Sequence, residues 1–311
     1  MSASFFAVVI VLSSILHFSV QGVFIYYKRF DDINHRSSHK TLATRTGGIG
    51  VFMTLFLVSL FYYSKGVEIF DYTLFVPLGI MLIVGVYDDL YKADFKLKFL
   101  LQIIVAKILI DQGYVISNYY GLFGLYEVPW LLAQITTVFV FLVVVNAINF
   151  IDGIDGLAIT QVIKTIFLLE LLSIESTPLL SIGSIIIASL IPLYYFNFKK
   201  EKKVFLGDGG SMFLGTIVMI YVLTSLGPNY IILPEYSINK VILAILAVLY
   251  PLIDLLRVFI IRVLDGKSPF IADKRHLHHK VLALIKRQYQ VILIILIADL
   301  LLVYFIYKMF L

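Results

Sequence analysis

Residues 136–158 read TTVFVFLVVVNAINFIDGIDGLA. The first ten are apolar enough to be buried in lipid. The rest place Asn146, Asn149, Asp152 and Asp155 at a constant three-residue step, with Gly153 and Gly156 directly after the acids. Residues three apart are neighbours on a helix, but nine residues turn the face by about 180°. Asn146 and Asp155 therefore cannot share one face of a straight helix. The glycines predict an interruption instead, with both acids turned into one cavity at the membrane edge. N-capping of the next helix is the alternative, and it accounts for one acid but not both. Polar side chains at this depth mark a functional site by default.

Composition agrees with a membrane setting. Of 311 residues, 60% are hydrophobic and 14% charged, with mean hydropathy +0.97. A soluble domain is about 45–50% apolar and about 25% charged. The expectation is an all-α polytopic integral membrane protein, a single membrane-embedded domain over 1–311. Cysteine is absent, which excludes disulfides and thiolate metal sites. The N-terminal MSASFFAVVIVLSSILHF lacks a basic leader region and reads as a first span.

A spanning helix needs roughly 20 apolar residues. That ruler places ten spans, near 3–26, 47–64, 72–87, 97–113, 129–147, 157–174, 177–196, 210–226, 239–262 and 288–308. Loops 27–46, 88–98, 148–156, 197–209 and 263–287, with Arg262 at a boundary, hold 19 of the 25 Lys and Arg residues. Basic loops mark the cytoplasmic side, so an even span count puts both termini outside.

The same loops carry chemistry. Asp88 and Asp89 close a span, where the helix dipole gives a carboxylate nothing, so a compensating cation is expected. A hard divalent ion held by carboxylates and substrate phosphates fits that need; two acids in a polar loop is the plainer account. Asp208 lies in FLGDGGSMFLG, either as a helix cap or beside glycines whose N–H groups suit phosphate. Five of the six histidines, His35, His39, His276, His278 and His279, fall on this side. KRHLHHK with Asp273 has the ligands for zinc, but its strongly basic loop favours anions. Acids for a metal and bases for phosphates, all beside lipid, point to phosphoryl transfer between a soluble nucleotide and a lipid.

DD at 88–89, NxxNFxDGxDGL at 146–157, FLGDxGS at 205–211 and HLHH at 276–279 stand in that order. In this the chain resembles the polyprenyl-phosphate N-acetylhexosamine-1-phosphate transferases of glycosyltransferase family 4. The superfamily also contains the phospho-MurNAc-pentapeptide translocase. The resemblance covers roughly residues 31–285. It implies ten spans in the bacterial cytoplasmic membrane, a cytoplasmic active site, and surface-polysaccharide synthesis such as that of O-antigen. It also implies transfer of a sugar-1-phosphate from a UDP-N-acetylhexosamine to undecaprenyl phosphate, releasing UMP. Mg²⁺ is the implied cofactor, with Mn²⁺ as a substitute. The implied partners are the two substrates and the bilayer, with a homodimer allowed and nucleic acid excluded.

Roles carry over position by position. Asp208 matches the magnesium-binding acid, with Asp89 and Asp152 as further metal candidates. Asp88 matches the acid that takes a proton from the lipid phosphate. Asp89, Asp152 and Asp155 complete the acidic catalytic set, and His276, His278 and His279 match the HxHH loop. The implied substrate-binding set is Asn146, Asn149, Lys92, Lys98, His39, Arg45, Asn197, Lys274 and Arg275. NHRSSH with Arg45, Gly47 and Gly48 resembles the first loop of the polysaccharide-initiating branch. That loop departs from the pattern where Leu42, Ala43 and Thr44 replace P-T-P and Thr46 replaces a glycine. Two rivals explain less. An intramembrane aspartyl protease needs glycine where Phe205 stands, and a transporter does not account for glycine-flanked acids gathered in loops.

Overall fold

The computed structural model describes residues 2–31, 42–236, 238–266 and 275–309. In lipid each backbone polar group must be satisfied inside its own segment, so the apolar runs become helices. In chain order these are α1 (Ala3–Tyr26), α2 (Gly47–Ser64), α3 (Phe75–Tyr91), α4 (Phe95–Asp111), α5 (Trp130–Ile151) and α6 (Leu157–Leu171). They continue with α7 (Leu180–Phe198), α8 (Gly207–Ser225), α9 (Lys240–Ala247), α10 (Leu249–Leu264), α11 (Leu277–Ile285) and α12 (Gln288–Met309). Two two-residue strands, β1 (Ala43–Thr44) and β2 (Lys203–Val204), pair in parallel with Ala43 opposite Lys203.

Each expected span falls on a helix, the ninth on the pair α9–α10. The number of full-length spans is smaller. Among the described residues seven helices are long and apolar enough to cross a membrane, or eight if the bent pair is one span. The shortfall is one of length. α4 and α6 have 17 and 15 residues, below the roughly 20 that a bilayer core of about 30 Å requires. Between α9 and α10 the axis bends by 74°. Pro251, in the first turn of α10, has no N–H to bond back across the break.

The chain forms two compact units, Met1–Leu109 with Ser176–Ile217, and Ile110–Glu175 with Val218–Leu311. In the first, α1 packs on α2 and α7. Its buried face is Val9, Ser13, His17 and Gln21, a four-residue step that is polar in three of its four positions. Ser13 Oγ donates to the Ser189 carbonyl at 3.0 Å, and Gln21 Nε2 donates to the carbonyls of Lys202 and Lys203 at 2.7 and 3.1 Å. A membrane helix thus turns its polar stripe inward. β1 and β2 tie residues 42–44 to residues 203–205, and Gly47 and Gly48 donate to the carbonyls of Phe205 and Leu206.

In the second unit α5 packs on α6 and α10, and α12 packs on α6, α10 and α11. Lys164 on α6 and Asp299 on α12 form an ion pair of 2.7 Å, with side chains 5% and 1% exposed. Breaking a buried pair from one side leaves an uncompensated charge, at a cost of about 3–5 kcal/mol, whereas replacing both partners with apolar groups is often neutral. Asp299→Ala should therefore lower thermal stability in detergent sharply. The double variant Lys164→Met/Asp299→Leu should recover most of it, as read by tryptophan-independent thermal unfolding.

Candidate active site

Asp88 and Asp89 occupy the last turn of α3, and the first unit supplies the compensation that their position demands. Lys98 Nζ lies 2.5 Å from Asp88 Oδ2 and 3.5 Å from Asp208 Oδ2. Arg45 spans two acids, with Nη1 2.9 Å from Asp89 Oδ1 and Nη2 2.7 Å from Asp31 Oδ1. The Gly209 N–H donates to Asp89 Oδ2 at 3.1 Å, so the start of α8 serves as an anion donor. Among the described residues, four carboxylates here meet two cations in direct contact. That excess of oxygen donors fits a hard divalent ion such as Mg²⁺.

Close helix approach builds this cluster. A Cβ on Gly85 would stand 2.3 Å from the Asp208 carbonyl oxygen and 2.5 Å from Gly209 Cα. One on Gly48 would stand 2.2 Å from Gly210 Cα. Asp208 is not a cap but lies inside the first turn of α8, where Ser211 Oγ donates to the Gly207 carbonyl at 3.1 Å. A cleft of about 330 Å³ opens beside the acids, lined by Phe24, Lys28, Arg29, Phe30, Asp31, Arg45, Val86, Asp88, Asp89, Leu90 and Lys92. Lys28 and Lys92 both adopt left-handed backbone conformations, φ 54° and 55°, which side-chain-bearing residues rarely take.

In the second unit the predicted interruption is present. α5 ends at Ile151 and α6 starts at Leu157, with Gly156 at φ 81° as its N-cap. Asp152 is the C-cap of α5, so neither acid is the N-cap of α6. Asp155 is buried and Asp152 half-buried. The histidine loop packs onto this segment. A Cβ on Gly153 would meet His278 Nε2 at 2.6 Å and His279 Nε2 at 3.1 Å, and the rings of Phe150 and His276 lie 6.0 Å apart.

His276 and His278 also surround Asp254 of α10. Asp254 Oδ2 lies 2.9 Å from His276 Nδ1 and 3.5 Å from His278 Nδ1. Burial lowers the His278 imidazole below its usual pKa range, against the pull of Asp254. These three residues offer ligand atoms within 4.8 Å of one another. The contact at 2.9 Å is a hydrogen-bond distance, and Arg257 Nη1 lies 3.8 Å from Asp254 Oδ1. A resident guanidinium disfavours a metal cation there.

Other expected residues take quieter places. Asn146 Nδ2 donates to the Leu142 carbonyl at 2.7 Å, and the Asn149 carbonyl accepts from the Asp152 N–H at 3.3 Å. Asn197 is buried, and its Nδ2 holds β2 through the Val204 carbonyl at 2.9 Å. Arg275 pairs with Asp265, and its carbonyl accepts from Arg257 at 2.8 Å. His35, His39, Asp273 and Lys274 lie outside the described residues. Sequence reasoning missed Lys28 and Arg29, which entered only as loop charge, and it missed Asp31 and Asp254. A paired KR…D directly after a span was the available signal for the first three.

The model of the Glycosyl transferase family 4 matches residues 71–226, half of the chain. The chain belongs to glycosyl transferase family 4. Relatives in this family include a probable undecaprenyl-phosphate N-acetylglucosaminyl 1-phosphate transferase of Bacillus subtilis, 27% identical over 85% of this chain and 72% of the relative. A decaprenyl-phosphate N-acetylglucosaminephosphotransferase of Mycobacterium tuberculosis H37Rv is 30% identical over 84% of this chain and 70% of its own. The undecaprenyl-phosphate alpha-N-acetylglucosaminyl 1-phosphate transferase of Salmonella typhimurium is 26% identical over 88% and 74%. The matched segment of this family 4 chain contains Asp88, Asp89, Lys98, Asp152, Asp155 and Asp208.

The glycine contacts yield a controlled test. Gly48→Ala should abolish turnover and lower thermal stability in detergent, because the clash is with backbone. Gly22→Ala on α1 meets nothing within 4 Å and should leave both unchanged.

Proposed function

We propose that this family 4 enzyme transfers an N-acetylhexosamine-1-phosphate from a UDP-sugar to undecaprenyl phosphate at the cytoplasmic face of a bacterial membrane. The products are undecaprenyl-diphospho-sugar and UMP, the first step of a cell-surface polysaccharide. The observation that carries this reading is the cluster of Asp88, Asp89 and Asp208 with Lys98 and Arg45, set beside a cleft rimmed by Lys28, Arg29 and Lys92. Its orientation is supported by the 19 basic residues gathered in one set of loops.

The chemistry asks for positioning and charge more than for a covalent residue. An oxygen of the acceptor phosphate forms a bond to the β-phosphorus of the donor, and the bond from that phosphorus to the bridging oxygen breaks, releasing UMP. Asp88 takes any proton the acceptor phosphate still carries, on a carboxylate held in place by Lys98. Lys28, Arg29 and Lys92 draw the anionic acceptor into the cleft. Arg45 holds Asp89 at a fixed distance from the start of α8. Asp208 and Asp89 would hold Mg²⁺, which when bound neutralises charge on the diphosphate. Asp152 and Asp155, with the histidines packed against Gly153, serve the nucleotide-sugar; the metal role expected of Asp152 rests on its motif.

Purified protein, undecaprenyl phosphate, Mg²⁺ and a panel of radiolabelled UDP-N-acetylhexosamines should yield a lipid-linked product and UMP. Folded protein that makes no such product with any donor would sink the reading. EDTA should stop turnover and Mg²⁺ restore it. Asp88→Asn, Asp152→Asn and Asp208→Asn should each abolish it, and a near-normal rate for Asp208→Asn would remove that residue from the metal site.

The cleft makes a separate prediction. Lys28→Ala/Arg29→Ala should raise KM for undecaprenyl phosphate while leaving kcat and the donor KM nearly unchanged. Two exposed charge contacts of roughly 0.5–1 kcal/mol each make that increase about five- to thirtyfold. An unchanged acceptor KM would show that these cations only orient the chain.

A further inference from the structure

Asp254 belongs to none of the motifs that mark the transfer, yet its carboxylate bonds two successive residues of the histidine loop and stands against a third. The side chain is 0% exposed, in the first half of α10. Oδ2 accepts from His276 Nδ1 at 2.9 Å and stands 3.5 Å from His278 Nδ1. Oδ1 accepts from the backbone N–H of Leu277 at 2.8 Å. Leu277 is the first residue of α11, and His276, its N-cap, makes no side-chain capping bond. Asp254 thus caps α11 from another helix, placing a negative charge where the helix dipole favours one. Arg257 closes the far side, with Nη1 3.8 Å from Oδ1 and donating to the Arg275 carbonyl at 2.8 Å.

The consequence lies at the other end of the rings. An N–H on Nδ1 given to a carboxylate fixes both the orientation and the tautomer of an imidazole, and leaves Nε2 as the working nitrogen. His276 makes that bond. In His278 neither Nδ1 nor Nε2 has a hydrogen-bond partner among the described residues, so its Nδ1 only stands 3.5 Å from Asp254 Oδ2 while Nε2 faces Gly153 between Asp152 and Asp155. The ring of His278 stacks on that of His276, with centroids 5.4 Å apart, and lies 4.3 Å from that of His279. Turning one ring therefore moves the row.

We propose that Asp254 is a positioning residue for the transfer: its two oxygens cap α11 and hold His276, on which the His278 ring stacks, so that the histidine row faces the segment carrying Asp152 and Asp155. This rests on the transferase reading. The role differs from a metal site, since the guanidinium of Arg257 supplies the positive charge already present beside the carboxylate. It differs from a packing role because only the oxygens of Asp254, and not its bulk, set the rings.

The test compares full-length wild type, Asp254→Asn and Asp254→Glu in detergent. Each is measured for thermal stability, for kcat and both KM values, for bound metal, and for modification of His276 and His278 by diethyl pyrocarbonate mapped by mass spectrometry. Asp254→Asn should unfold within a few degrees of wild type. It should lose about 10- to 100-fold in kcat, keep its KM for undecaprenyl phosphate within about twofold, and expose both histidines to faster modification. Asp254→Glu, with the charge one methylene away, should recover part of kcat, and it replaces Asp254→Asn as the deciding variant if the latter aggregates. Normal kcat in a variant whose histidines react faster would overturn the proposal, as would a loss of stability with kcat intact. Stoichiometric zinc in wild type that disappears in Asp254→Asn would overturn it in favour of a metal site. The modification pattern needs no substrate, so a wild type inactive with every donor would count against the transferase reading alone.

Discussion

An ionised carboxylate beside hydrocarbon must be paired, and this protein pairs its acids inside the fold. Asp88 has Lys98, Asp89 has Arg45, Asp299 has Lys164, and Asp254 has a histidine loop and Arg257. Three of these contacts tie together segments far apart in sequence: Asp89 with Arg45, Asp299 with Lys164, and Asp254 with the histidine loop. Desolvated charge is costly enough that such a contact decides which helices can be neighbours. Charge pairing therefore does in this chain part of what apolar burial does in a soluble protein, where lipid leaves little hydrophobic force between helices.

The residual force between helices comes from close contact. Gly48 against Gly210, and Gly85 against the backbone at Asp208 and Gly209, let α2 and α3 reach the start of α8 at distances that no side chain would allow. The same glycines carry the acids into contact with their cations. Packing and site are thus one construction. On α1 the logic is visible from the opposite direction, since Ser13, His17 and Gln21 face the interior and the apolar residues face out.

Much of this was legible in the primary structure. The apolar runs place the helices to within a few residues. The nine-residue rotation from Asn146 to Asp155 excludes a straight helix, and α5 does stop at Ile151. The cation expected beside Asp88 and Asp89 was a divalent metal; the contacts that the fold shows there are Lys98 and Arg45. What escaped was partnership at long range. Nothing local in LIDLLRV announces that Asp254 will meet residues 276–278, which lie 22 and more positions away. Lys28 and Arg29 read as topological charge until the cleft that they line comes into view. The described helices long and apolar enough to span number seven or eight against the ten expected, because α4 and α6 are short, which hydropathy alone does not reveal.

By itself the sequence determined an all-α membrane chain, the break after Ile151, and a family whose motifs stand in order. Those depend on hydropathy, helical periodicity and glycine chemistry, all of which act within about ten residues. Only the tertiary structure decided which cation serves which acid, that Arg45 bridges Asp31 and Asp89, and that Asp254 meets His276 and the start of α11. The reason is physical: a charge at the edge of lipid needs a partner within about 4 Å, and which residue comes that close is settled by helix packing and not by position in the chain.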